Sequence, residues 1–191
     1  METSTPASRA AREARFRAVY EASYSDVLRF AQRRVHPSHA EDVAADVFLV
    51  AWRRLDDLPK EPADARPWLF GVARATMLNH RRGDRRRGAL AVRVADATLE
   101  SSATDDLAAS RLDLATAWLR LTVTDQEVIS LAVWENLTSA QAGVVLGCSA
   151  TAYRLRLSRA RRSLRRLVDA TSHSPVSPER ASATTPKELR P

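Results

Sequence analysis

From Phe16 onward the apolar residues Phe16, Val19, Tyr20, Val27, Leu28, Ala31 and Val35 recur at three- and four-residue steps, the spacing of an amphipathic helix. Residues 1–12, small and polar, are expected to fray. His36-Pro37 closes the first helix, and Ser38 followed by Glu41 has the form of a capping box that opens a second, with Val43, Val47, Val50, Ala51 and Leu55 inward. DDLPKEPADARP, residues 56–67, reads as a proline-punctuated loop. A third helix from Trp68 is apolar through Leu69, Val72, Ala73 and Met77 and basic at its far end. Three helices with short connections predict one bundle.

The periodicity lapses over residues 88–104, which read as a linker, and resumes in Leu107, Leu112, Leu114, Ala115, Trp118 and Leu119, expected to share one buried helix face. Thr124 with Glu127, and Thr138 with Gln141, have the spacing of two further capping boxes, each starting a short helix. Gly147 supplies the left-handed residue that stops the second of these, and Ser149 caps the last helix. Residues 171–191, rich in Ser, Thr and Pro, lack an apolar face and are expected to be disordered. The fold class is all-α: two small helical domains on a flexible linker, with boundaries at 13–87, 88–104, 105–170 and 171–191.

Composition agrees: aromatics make up 6% of the chain and only 5 residues are glycine, which leaves little material for sheets and hairpins. The charge changes the picture more. A net +7 attracts nucleic acid or an anionic membrane surface, without choosing between them. The chain opens on no apolar run of signal length, contains no candidate membrane span, and its one cysteine, Cys148, rules out an internal disulfide. A cytoplasmic protein without stable membrane insertion is expected.

The final helix makes the choice. Tyr153, Leu157, Ala160, Leu164 and Leu167 form a stripe for the core, which leaves Thr151, Arg154, Leu155, Ser158, Arg161, Arg162 and Arg165 outward. Acids three or four residues from arginines would stabilise a solvated face, yet none stands between Gly147 and Val168. The arginines repel one another unless a polyanion is present. A short helix, the Gly147-Cys148-Ser149 turn and a longer helix have the dimensions of a helix-turn-helix, whose second helix enters the DNA major groove. Leu155 either touches a thymine methyl or packs on a neighbouring protein. Gly143 implies close approach of two helices, and Cys148 a packing role.

TDQEVISLAVWENLTSAQAGVVLGCSATAYRLRLSRARRSL resembles the fourth conserved region of the extracytoplasmic-function sigma factors, in Leu137, Leu146-Gly147, Ser149, Arg156 to Arg161 and Leu164. AEDVAADVFLVAWRRL and ARPWLFGVARATMLNHRRGDRR are similar to their second region. The resemblance covers roughly residues 14–168. It implies that Asp42, Asp46, Phe48, Trp52 and Arg53 dock on core RNA polymerase. It implies that the loop 56–66 with Trp68, Arg74, Asn79, His80, Arg81, Arg82 and Arg85 engages the minus-ten element. Ser149, Thr151, Ala152, Arg154, Leu155, Arg156, Arg159, Arg161 and Arg162 would read the minus-thirty-five element. Gln141, Ala142, Ala152, Ala75 and Asn79 depart from the commonest residues of the family, so no known promoter sequence is carried over.

The implied function is a promoter-specificity subunit, monomeric when free, with promoter DNA and core polymerase as partners and an anti-sigma factor as a further one. The competing class is a helix-turn-helix regulator that acts without being a polymerase subunit. An enzyme is not expected, because no Walker lysine motif, HExxH or dinucleotide turn is present. His36 and His39 read as surface histidines, with no metal or cofactor expected. The 17 linker residues extend to about 56–61 Å, which permits binding at two separated DNA sites.

Overall fold

A computed structural model describes residues 6–83 and 105–172, with side chains described for 7–80 and 110–171. The linker 88–104, Arg85 and most of the tail lie outside the described residues. Those described form α1 (Pro6–Gln32), α2 (Pro37–Arg53), α3 (Pro62–Gly83), α4 (Asp105–Arg120), α5 (Val123–Val133), α6 (Ser139–Leu146) and α7 (Ala150–Ser172), with no strand among them. The all-α expectation holds.

In the first half, α1 packs on α2 and both pack on α3 around Val27, Phe30, Val43, Val47, Leu69, Phe70 and Met77. Helix α1 begins at Pro6, so residues 6–12 do not fray; Arg12 reaches Asp56 at 2.7 Å and Arg15 the Leu58 carbonyl, and these bonds tie the first turns to the α2–α3 connection. The expected Ser38–Glu41 box is replaced by another cap. Pro37 takes the first helical position, where a missing N–H costs nothing, and His36 Nδ1 accepts from the Ser38 N–H.

Helix α3 begins six residues before Trp68, because Pro67 is accommodated inside it instead of ending the loop. Pro67 has no N–H for the carbonyl four residues back, that of Ala63. Gln141 Nε2, from α6, donates to that carbonyl at 2.9 Å. The defect in one helix is thus satisfied by a residue of the other half.

In the second half, Thr122 and not Thr124 caps α5: its hydroxyl accepts from the Asp125 N–H at 3.1 Å. Glu127 is consequently free of a capping role and is turned inward, 8% exposed. Asn136, at φ 50°, closes α5 in the left-handed region while the Leu137 N–H bonds to the Leu131 carbonyl. The Thr138–Gln141 box forms with both reciprocal bonds, and Gly147 has φ 64°. Ser149 Oγ accepts from the Ala152 N–H at 3.2 Å and caps α7.

Helix α4 departs from the expected face. Ala117, Trp118 and Leu121 are buried, whereas Leu112 and Leu119 are 68% and 77% exposed and Leu114 is also exposed. Successive residues turn about 100°, so Leu112 and Leu119, two turns apart, share a flank well away from Trp118. Ala117 is the small residue that lets the helix approach, and it was hidden among the larger ones.

The two halves share a continuous apolar core. Helix α6 lies on α3, where a Cβ built on Gly71 would come into ordinary contact with the Val144 carbonyl oxygen at 3.9 Å. No such seating was expected from sequence.

Candidate nucleic-acid interface

Helix α7 is held by its buried stripe. Tyr153 is 1% exposed and its hydroxyl donates to the Val128 carbonyl at 2.9 Å, which fixes α7 against α5; burial raises the Tyr153 pKa. Ala160 is fully buried, and Leu157, Leu164 and Leu167 pack at the margin of the core. The opposite side is the expected one: Thr151, Arg154, Leu155, Arg156, Arg159, Arg161 and Arg162 are exposed, and Ala152 is half-buried. Arg154 lies over the first turn, donating to Thr151 Oγ1 at 2.9 Å. Seven arginines between Arg154 and Arg166, with no acid before Asp169, give this face a single sign. Its chemistry suits phosphate and the guanine edge.

The turn that presents α7 depends on Gly143. A Cβ there would stand 2.5 Å from the Cys148 carbonyl oxygen, so glycine is what lets α6 and the start of α7 approach. Cys148 is half-buried against the core, in keeping with packing.

The first half offers two surfaces. On α2, Asp42 and Arg53 are exposed and Asp46 half-buried, while Phe48 is 4% exposed and lies in an aromatic cluster with Phe16, Tyr20 and Tyr24. Phe48 therefore forms the floor of a groove of about 590 Å³, with Tyr20, Leu49 and Trp52 on its sides and Asp42 at its rim. On α3, Trp68 is half-buried with the Arg54 guanidinium 5.7 Å from its ring. Asn79 is exposed, and His80 Nε2 lies 3.0 Å from Asp46 Oδ2, which joins the two surfaces. Arg81 and Arg82 lie in the last turn of α3.

Arg74 faces the other half. Its Nε and Nη2 donate to Glu127 of α5 at 2.7 and 3.2 Å. A larger ionic cluster lies nearby. Arg34, 2% exposed, donates to Glu135 at 3.0 Å, to Ser130 Oγ at 2.8 Å and to the Phe30 carbonyl at 2.9 Å, with its guanidinium 3.5 Å from the Phe30 ring. Burial lowers the Arg34 pKa, and Glu135 pushes it back up. Arg33 donates to the same carboxylate at 3.1 Å, and Arg66 joins the Glu135 carbonyl to Asp26. Although burial opposes it, hydrogen bonds from Arg29 and Arg66 hold the Asp26 carboxyl below its ordinary value. Sequence reasoning missed Arg33, Arg34, Arg66, Glu127 and Glu135. The only local hint was an Arg-Arg pair at a helix end with no acid within reach.

Among the described residues no group of three metal-ligating side chains converges, and no helix of theirs is long and apolar enough to cross a membrane.

Comparison with known proteins decides between the two classes of DNA-binding protein. The sigma-70 region 2 model matches residues 19–87 and the sigma-70 region 4 model matches residues 111–164. Over 159 residues the chain is 31% identical to the ECF RNA polymerase sigma factor SigL of Mycobacterium tuberculosis, covering 82% of this chain and 90% of the relative. The chain belongs to the ECF sigma factors. Among other sigma factors, CnrH of Cupriavidus metallidurans is 35% identical over 144 residues, 69% of this chain and 74% of that one. The fold is that of the sigma factor RpoE from Bartonella quintana, solved in complex with the anti-sigma factor NepR: TM-score 0.59 at 22% identity, over 81% of this chain and 96% of that one. CnrH, solved with the cytosolic domain of CnrY, gives 0.54 at 26% identity, over 81% and 88%. Sigma factors are non-enzymatic DNA-binding initiation factors. A stand-alone helix-turn-helix regulator is not favoured, because the match includes region 2 in the first half.

Proposed function

We propose that this sigma factor directs core RNA polymerase to promoters by a division of labour between its halves, residues 13–87 and 105–170. The acid-free arginine face of α7, fixed by Tyr153 and presented by the Gly147 turn, carries the proposal. Ser149, Thr151, Ala152 and Leu155 at the start of α7 meet base edges of the minus-thirty-five element, and Arg154, Arg156, Arg159, Arg161 and Arg162 add guanine and phosphate contacts. Trp68, Arg74, Asn79, His80, Arg81, Arg82 and Arg85 engage the minus-ten element and stabilise its opened strand. The groove of α2, with Asp42 and Trp52 around the Phe48 floor, takes core polymerase, with Asp46 and Arg53 of the same helix as further contacts; its apolar walls and acidic rim suit a partner helix with apolar and basic residues.

No covalent chemistry is needed: the subunit works by differential binding, in the cytoplasm where polymerase and promoter are. An anti-sigma protein is a further partner, as for the solved RpoE. The test is transcription in vitro with purified core enzyme on a genomic library, with start sites mapped. New, reproducible start sites that depend on this chain are expected. Tight binding to a palindrome by a dimer, without added initiation, would favour the regulator instead.

A further inference from the structure

The first turns of α1 precede the region 2 match, which begins at residue 19, yet they are held against the rest of the first half. Arg12 and Arg15, three residues apart and so on one side of the helix, both reach the connection between α2 and α3, residues 54–61. One amino group of Arg12 donates to both carboxylate oxygens of Asp56, at 2.7 and 2.8 Å, and Arg15 donates to the Leu58 carbonyl. The Arg12 guanidinium also lies 6.0 Å from the centre of the Trp52 ring, near the end of α2. From the other flank Arg54 donates to Asp57 at 2.9 Å and faces the Trp68 ring of α3. Leu55 and Leu58 of the connection are buried, while Lys60 and Glu61, between Pro59 and Pro62, are exposed.

We propose that Arg12 and Arg15 are positioning residues: they hold the α2–α3 connection in the shape in which it meets the opened strand of the minus-ten element, without touching DNA themselves. The proposal rests on the reading of the first half, that connection included, as the minus-ten-binding half. Folding stability does not account for the arrangement. The Arg12–Asp56 pair is open to water, with side-chain exposures of 35% and 82%, and such a pair adds little to stability. Helix α1 is secured without it from Phe16 inward, where Phe16 packs on Phe48 and Trp52. What charged hydrogen bonds from two successive arginines do supply is geometry. A connection without helix or strand loses conformational freedom when it closes on a strand, and fixing it beforehand removes that loss from the binding step. Charge points the same way. From Asp56 to Glu61 the connection has three acids and one base, a balance that repels a polyanion. Arg12 and Arg54 each set a positive charge against one of those acids, which leaves Lys60 exposed as the cation of the connection. Through Trp52, Arg12 also ties the connection to the groove that takes polymerase.

The test uses the full chain with core polymerase, on a promoter found by start-site mapping. Arg12→Gln, Asp56→Asn and the double variant are compared with wild type for helicity, polymerase affinity and initiation. Initiation is measured on the intact duplex and on the same promoter with a mismatched, pre-opened minus-ten segment. Each single variant is expected to lose about fivefold on the duplex, and the double variant no more than either single, because both remove one bond. On the pre-opened template all are expected within about twofold of wild type, since the strand no longer has to be won from the duplex. Undiminished duplex initiation by both single variants overturns the proposal. Asp56→Asn at wild-type strength beside a weakened Arg12→Gln overturns it too, because Arg12 then acts on something other than the connection. So does an equal loss on both templates, the mark of a folding or polymerase-binding defect. Arg15→Met, which removes the donor to Leu58, is expected to share the duplex defect, and full activity in that variant contradicts a role for Arg15. Should Arg12→Gln lose helicity, Arg12→Asp/Asp56→Arg decides: recovery of duplex initiation by the exchanged pair supports the proposal, and no recovery contradicts it. Absence of any initiation by wild type overturns the promoter reading and this proposal with it, whereas wild-type initiation with unaffected variants overturns this proposal alone.

Discussion

A methyl group at Gly143 would meet the Cys148 carbonyl oxygen at 2.5 Å, backbone that cannot swing aside. Gly143→Ala therefore loses more by displacement of the turn than it gains in helix propensity. A net destabilisation of about 1–3 kcal/mol in urea unfolding is expected, with weaker DNA binding because the start of α7 moves. Close approach at this position was legible from a glycine inside a helical pattern. Asp26 was not, since its partner Arg66 lies forty residues on. Its carboxyl is held below the ordinary 3.8, so the stability it contributes is present above that value and is lost as pH falls through the lower folded one. Asp26→Asn should accordingly be less stable than wild type near neutrality, with the difference shrinking below about pH 4 in acid-unfolding curves.

At the scale of the helices, periodicity located nearly every element, but caps and starts were placed less well. Two threonines two residues apart both have an acid three positions later, Thr122 with Asp125 and Thr124 with Glu127, and only helical phase decides between them. Burial of Val128 and Ile129 fixes that phase, and Thr122 becomes the cap. Thr122→Ala should cost about 1 kcal/mol and Thr124→Ala a few tenths, measured as a difference in unfolding free energy. Equal costs would contradict the cap. The early start of α3 escaped notice for a related reason: Pro67 is tolerated there because Gln141 takes up the carbonyl it leaves, a compensation from 78 residues away. The outward face of α7, by contrast, followed directly from its stripe, because helix and core both lie within one segment.

At the scale of the whole molecule, the two halves and the arginine surface were legible in the sequence, while their mutual contact was not. The acids Glu127 and Glu135 read locally as ordinary helix residues; their arginine partners stand 53 and 101 residues earlier. Their effect is to set Arg33, Arg34 and Arg74 of the first half against the second, while the arginine face of α7 stays exposed. Charge reaching DNA from α7 should show in the salt dependence of duplex binding, whose logarithmic slope is expected to fall by up to about 3 when Arg154, Arg156 and Arg159 become alanine.

The same triple variant gives the most direct measurement: start-site mapping with core polymerase, beside wild type, after confirming helicity and polymerase binding. Loss of the start sites that depend on an upstream element is expected, with the chain folded and polymerase-bound. Initiation at the same sites with undiminished strength would contradict the assignment of α7 as the promoter-reading helix.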